Sequence, residues 1–335
     1  MKIGNGHRSQ VLSRTMPYYD MPREELRRYT PDLAWPEDME QFWSATLAQS
    51  RAAAGPPVFT KVPTGLELVD AFDVTFSGFE GQSVRAWLHL PARVEGPMPV
   101  VVRYLGYGGG RGLAHEVSLW ALAGYASLIM DTRGQGSGWS PGDTPDPVGS
   151  PPAHPGFMTR GILDRHDYYY RRLFADAVLA VDAVRAHPLV QGERVALTGT
   201  SQGGGLALAV AALAPDVWAV MPDVPFLCDF RRATDLVDTD PYGEIVRYLK
   251  VHRDQVGTVF STLAYFDVAA LVKLARAPAL FSVALMDQLC PPSTVYAAYN
   301  RYGGQKEIVE YPFNDHEGGE TFHEVVQLKW LKALE

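Results

Sequence analysis

Cysteine is nearly absent from this chain: 335 residues carry two, Cys228 and Cys290. They form no CxxC pair and cannot build a disulfide framework, so they suit a reducing compartment. Metal-binding patterns are missing too. There is no HExxH, since His115-Glu116 and His316-Glu317 each lack the second histidine, and neither a metal nor another cofactor is expected. The glycine-rich stretch Leu105 to Gly112 lacks the Gly-Lys-Ser/Thr ending of a phosphate loop and does not fit GxGxxG. Positive charge is not in excess: 30 basic side chains face 38 acidic ones, for a net charge of −8. Such a surface repels phosphate backbones, so a nucleic-acid partner is not expected. No uninterrupted run of about eighteen apolar residues is present, which argues against a membrane partner. The first residues are charged and have no apolar core of a secretory signal. The expectation is a soluble, cytoplasmic protein.

What is present is an ordinary globular composition, 47% apolar and 20% charged. A chain of this length buries about 75% of its extended surface and needs no covalent staple. Residues 1–15 read as a poorly structured extension, and 16–335 as a single domain. Pro36 followed by Glu37, Asp38 and Glu40 marks a helix start. Phe72, Val74 and Phe76, then Val84, Ala86, Leu88 and Leu90, alternate with polar residues around a turn, which predicts an antiparallel hairpin. Short unalternated apolar runs follow at 99–104, 126–131, 195–199, 217–221, 278–285 and 306–311. Strands of that kind are buried on both faces, the mark of a parallel sheet covered by helices. Helices are expected at 171–187, 202–213 and 321–334. The alternation gives an α/β fold, a mostly parallel doubly wound sheet with an antiparallel hairpin edge, and 222–278 as a helical cap insertion. Residues 134–167 read as a long loop rich in Gly, Pro and Ser, of the kind that is functional or flexible.

The run 195–199 leads into Gly199-Thr200-Ser201-Gln202-Gly203 and then a helix. In that strand–turn–helix context GxSxG is a nucleophile elbow, which lifts Ser201 out at the carboxyl end of the sheet. The alternative is a serine that only caps the helix. A serine nucleophile needs a base, and the base needs an orienting acid, in the chain order serine, acid, histidine. His316 hangs in a loop directly after the run 306–311. His323 falls inside the last helix and is expected at the solvent surface. Asp287 follows the run 278–285 and is the expected acid; Asp315 competes but, next to His316 in sequence, points elsewhere. The oxyanion donors expected are the backbone N–H groups of Gln202 and of Tyr107 in the glycine-rich loop. Tyr107, Pro225 and Phe226 are the candidate walls of a substrate pocket. Tyr168-Tyr169-Tyr170, ahead of an amphipathic helix, is read as packing rather than as a stacking platform. Cys228 is read as a buried apolar thiol and Cys290 as a neighbour of the acid loop.

Together, Arg133-Gly134-Gln135, Gly199-Thr200-Ser201-Gln202-Gly203 and His316-Glu317 resemble the signature of the acetyl xylan esterase / cephalosporin C deacetylase family, carbohydrate esterase family 7. Met158 to Asp164 and Met286 to Thr294 are similar as well, and the likeness runs from Met16 onward. The resemblance implies an α/β-hydrolase fold and a serine esterase. Its substrates would be small acetyl esters: acetylated xylo-oligosaccharides and other sugars, and cephalosporin C. It further implies a cytoplasmic homohexamer, with the triad on Ser201, Asp287 and His316 and the oxyanion donors on Gln202 and Tyr107. Arg133 and Gln135 are expected to be scaffold. Two rival classes remain at this stage. A serine peptidase of the same fold would cleave peptides, and a non-catalytic hydrolase-like binding protein would not react with a fluorophosphonate.

Overall fold

A computed structural model of the chain describes residues 19–117, 119–148 and 156–335. The expected extension at residues 1–15 lies outside the described residues. Nine strands form one sheet: β1 Val58–Val62, β2 Val69–Ser77, β3 Ser83–Pro91, β4 Met98–Tyr104, β5 Ala126–Met130, β6 Val190–Thr200, β7 Ala219–Asp223, β8 Ala279–Ala284 and β9 Lys306–Tyr311. Their spatial order is β1-β2-β3-β5-β4-β6-β7-β8-β9. The β1–β2, β2–β3 and β3–β5 pairs are antiparallel, and every pair from β5–β4 through β8–β9 is parallel. The expected hairpin is β2–β3, with Val74 opposite Ala86 and Phe76 opposite Val84. The outer strand β1 gave no signal in the sequence because its residues are exposed or half-buried and therefore carry no hydrophobic alternation.

The helices are α1 Arg23–Leu26, α2 Met39–Ala53, α3 Leu119–Leu122, α4 Tyr169–Arg185, α5 Gln202–Leu213, α6 Phe230–Leu236, α7 Tyr242–Val251, α8 Val256–Leu263, α9 Val268–Leu271, α10 Pro292–Arg301 and α11 Glu320–Ala333. They cover both faces of the sheet, which is why its central strands are apolar without alternation. On β4, Val100 and Val102 join the large core cluster, whereas Val101 points to the opposite face, with Trp120, Ala196, Met221 and Leu331. Leu173, Ala177, Ala180, Val181 and Val184 of α4 are fully buried, the stripe expected from their spacing. Tyr168, Tyr169 and Tyr170 are also fully buried, so this run packs the helix entrance and stacks on nothing external. By length and composition the helical run Arg253–Leu274 is apolar enough to cross a membrane, but most of it is buried in this core.

Candidate active site

The site is built where the parallel strands end. β6 stops at Thr200, and Ser201 adopts φ 58 and ψ −120 before α5 begins at Gln202. That left-handed conformation is costly for a side chain with a Cβ, and it persists because its surroundings hold it on every side. The Ser201 N–H donates to the carbonyl of Asp223, and the Ser201 carbonyl accepts from Gly205 and Phe226. The flanking glycines are required by space. A Cβ on Gly203 would lie 2.2 Å from the Tyr104 carbonyl oxygen, and one on Gly199 would lie 2.4 Å from the Gly203 carbonyl carbon. The turn therefore brings α5 against the end of β4, beside the loop that follows it.

That loop carries Tyr107, and polar groups hold it from three sides. The Gly108 N–H donates to Gln135 Oε1 at 2.7 Å, with Gly108 at φ +81, a conformation open to glycine. Trp139 Nε1 donates to the Tyr107 carbonyl, and the Tyr107 hydroxyl donates to Glu244 Oε1 at 2.6 Å while accepting from the Phe157 N–H. Glu244 is buried and also accepts from the Met158 N–H. Burial, reinforced by this carboxylate, pushes the Tyr107 phenol far up, so it stays protonated. Gln135 and Gln202 pair amide to amide, at 3.0 and 3.3 Å, and the Tyr170 hydroxyl donates to Gln202 Oε1. Gln135 thus ties the Tyr107 loop to the first residue of α5. Among the described residues, the backbone N–H groups of Gln202 and Tyr107 have no acceptor, which leaves them free for a ligand oxygen.

Arg133, of the same loop motif as Gln135, is fully buried in a two-pronged pair with Asp176, at 2.6 and 2.8 Å, away from the cavity. Gln135 is expected from the sequence only as scaffold of the site, and Glu244 is not singled out there at all. No sequence signal pointed to Glu244, which lies 137 positions from Tyr107; for Gln135 the signal was the loop motif itself.

The acid and the base come from the loops after β8 and β9. Asp287 is fully buried; its Oδ1 accepts from the Leu289 and Cys290 N–H groups, each at 2.8 Å, and its Oδ2 lies 2.8 Å from His316 Nδ1. Asp315 does not compete for the imidazole: its Oδ1 accepts the N–H groups of His316 and Gln288 and ties the two loops together. From the amino-terminal side, the Tyr19 hydroxyl donates to the Asp287 carbonyl, and Asp20 bridges Arg232 and the Ser293 N–H. Burial alone would lower the His316 pKa, but the hydrogen bond and charge of Asp287, helped by Asp315 and Asp223, raise it above its ordinary value.

Ser201 and His316 line one cavity of about 410 Å³, together with Tyr107, Trp139, Phe226 and Leu289. Cys290 joins them in lining this cavity, and its sulfur lies within 4.8 Å of the facing His316 and Asp287 ligand atoms. Burial pushes this thiol well up, with the charges of Asp287 and Cys228 adding to it. A neutral thiol beside a carboxylate already saturated by N–H donors makes a poor metal site. Both cysteines are free and buried.

Two expectations are corrected. Pro225 does not line the cavity; it is buried with its Cα beside Gly204, because the sharp turn after β7 sends Phe226 forward and Pro225 back against α5. His323 is not at the surface but 1% exposed, with Nδ1 on the Tyr311 hydroxyl at 3.0 Å, because α11 lays this face against the sheet end. Burial lowers its pKa, with Asp223 opposing the shift.

A model of the family described as acetyl xylan esterase (AXE1) matches residues 16–334. The acetyl esterase Axe7A of Xylanibacter ruminicola is 27% identical over 315 residues, covering 92% of this chain and 69% of that protein. An acetyl xylan esterase from Paenibacillus sp. R4 superposes with a TM-score of 0.89 at 36% identity, over 93% of this chain and 99% of its own. Acetyl xylan esterase 1 from Thermoanaerobacterium sp. JW/SL YS485 gives a TM-score of 0.86 at 34% identity, over 94% and 99% of the two chains.

Proposed function

This chain belongs to the acetyl xylan esterase family, and from that premise we propose that Ser201, His316 and Asp287 are its catalytic triad, with Gln202 and Tyr107 as oxyanion donors. The protein has the α/β-hydrolase fold and is a carboxylic ester hydrolase that deacetylates acetylated substrates. The observation that carries the residue assignment is the buried Asp287 carboxylate on Nδ1 of an imidazole that shares a cavity with Ser201 in its left-handed turn.

The chemistry follows from that geometry. With Nδ1 held by Asp287, His316 Nε2 takes the proton as Ser201 Oγ forms a bond to the acetyl carbonyl carbon. The carbonyl oxygen gains negative charge between the Gln202 and Tyr107 N–H groups, at the start of α5 where the helix dipole also favours an anion. The ester C–O bond then breaks, and the alcohol leaves with the proton from His316. Water, deprotonated by the same imidazole, attacks the acetyl-serine and releases acetate and free Ser201.

The substrates in this reading are acetylated xylo-oligosaccharides and related sugar acetates, with the acetyl group of cephalosporin C as a further substrate. The relatives' names and the shared motifs support that range. A cytoplasmic setting accords with two buried free thiols, and a homohexamer follows from the family resemblance; light scattering in solution tests the assembly. For the triad the test is Ser201→Ala, which is expected to abolish both p-nitrophenyl acetate hydrolysis and fluorophosphonate labelling. Retention of more than a few per cent of wild-type rate (about 10⁴-fold loss is the ordinary result) sinks the assignment.

A further inference from the structure

We propose that a second, polar cavity sharing His316 with the first receives the alcohol half of the ester, a polyhydroxylated saccharide. The inference rests on the deacetylase reading above and adds to it where the sugar lies. This cavity measures about 500 Å³ and meets the first at Arg103, Thr200 and His316. Ser201 lines only the apolar one. The apolar cavity, walled by Tyr107, Phe226 and Leu289, suits a methyl-bearing acyl group, whereas the polar one suits hydroxyls.

Three of its walls carry polar groups the fold leaves unused. Gln327 and Trp120 are each 5% exposed, and neither side chain makes a hydrogen bond to the described residues. His323, 1% exposed, has its Nε2 without a partner. Buried polar groups are paired in nearly all folded proteins, so the orphaned His323 Nε2, beside the unbonded side chains of Gln327 and Trp120, points to something that binds there. Arg103, at the end of β4, is exposed and has no ion-pair partner among the described residues, and Glu324 and Asp223 lie on the same walls. An indole, an amide, a guanidinium and carboxylates together offer both donors and acceptors. A sugar hydroxyl uses both at once. A plain anion would meet Asp223, Glu317, Glu320 and Glu324, and a plain cation would meet Arg103.

The reaction geometry places the alcohol on this side as well. The leaving oxygen must depart next to the imidazole that protonates it, and the polar cavity opens at that imidazole. Wild type, Arg103→Gln and Gln327→Leu are compared on acetylated xylotriose and on p-nitrophenyl acetate. The expected result is that the ratio of kcat/KM for the saccharide to that for the aryl ester falls about tenfold in each variant, mostly through KM. Arg103 is exposed, so its variant folds even where the buried Gln327 variant does not. A ratio within twofold of wild type in Arg103→Gln, with the saccharide still cleaved by wild type, overturns the cavity assignment alone. Cleavage of the aryl ester but of no acetylated saccharide by wild type overturns the substrate reading, and this inference falls with it.

Discussion

Replacing Asp287 by asparagine tests the site more sharply than removing any other group. The carboxylate has two oxygens with different duties: Oδ1 takes two backbone N–H groups at 2.8 Å, and Oδ2 takes His316 Nδ1 at 2.8 Å. An asparagine must keep its one oxygen on the two N–H donors, because turning the amide over would set its NH2 against both of them. Its NH2 then faces His316 Nδ1 and can only donate. The imidazole is driven to the tautomer with its proton on Nε2, where it cannot accept one from Ser201. The loss expected is about 10⁴-fold in kcat/KM, or about 5.4 kcal/mol at about 1.36 kcal/mol per decade. A second effect follows from the charge. Asp287 is what raises the His316 pKa against the opposing influence of burial. Wild-type activity needs neutral His316, so it rises with pH through a midpoint above the ordinary imidazole value of about 6.5. The residual activity of Asp287→Asn should rise through a lower midpoint. The assay is kcat/KM for p-nitrophenyl acetate from pH 5 to 9. A loss below tenfold with an unmoved acid limb would refute the reasoning, since a merely structural aspartate would leave the midpoint where it was.

Gly203→Ala should lower both stability and rate: its Cβ would stand 2.2 Å from the Tyr104 carbonyl oxygen and push apart α5 and the strand that leads to Tyr107. An overpacking cost of about 1–3 kcal/mol is expected in urea unfolding, and an unchanged midpoint contradicts the close approach. Glu244→Gln puts an NH2 against either the Tyr107 hydroxyl or the Met158 N–H, both held now by carboxylate oxygens. A fall of about tenfold in kcat is expected, and wild-type kcat after a clear drop in Tm would show that the Tyr107 anchor does not matter to catalysis. In a p-nitrophenyl ester series, acetate should be cleaved faster than butyrate because Tyr107, Phe226 and Leu289 close around the acyl group; a maximum at long chains would remove that role for them.

That Ser201, Asp287 and His316, the proposed triad, gather at one end of the sheet was legible because each sits in the loop after a strand, where contiguous sequence gives the context. Ser201 follows β6, Asp287 follows β8 and His316 follows β9. The doubly covered sheet was legible for a similar reason, since burial on both faces leaves an apolar run such as Val100 to Val102. The supports of the site were not. Glu244 reaches Tyr107 from a helix 137 positions away, and Tyr19 reaches the Asp287 carbonyl across 268. Contacts of that kind leave no periodic trace. Pro225 was assigned to the pocket wall because a sequence gives its neighbourhood to Phe226 but not the turn that points the two in opposite directions. His323 was assigned to solvent because α11 has a mixed composition, and only its docking against Tyr311 reveals which face is covered.

The fastening between the Tyr107 loop and α5 is made entirely of neutral groups: two glutamine amides and the phenols of Tyr169 and Tyr170. Burial drives both phenols far above any pH at which they would ionise. Dissolved ions screen charges, and this link has none to screen. This fastening is therefore as firm in brine as in dilute buffer, and salt acts instead at the rim, where Arg103 and its neighbouring acids meet solvent.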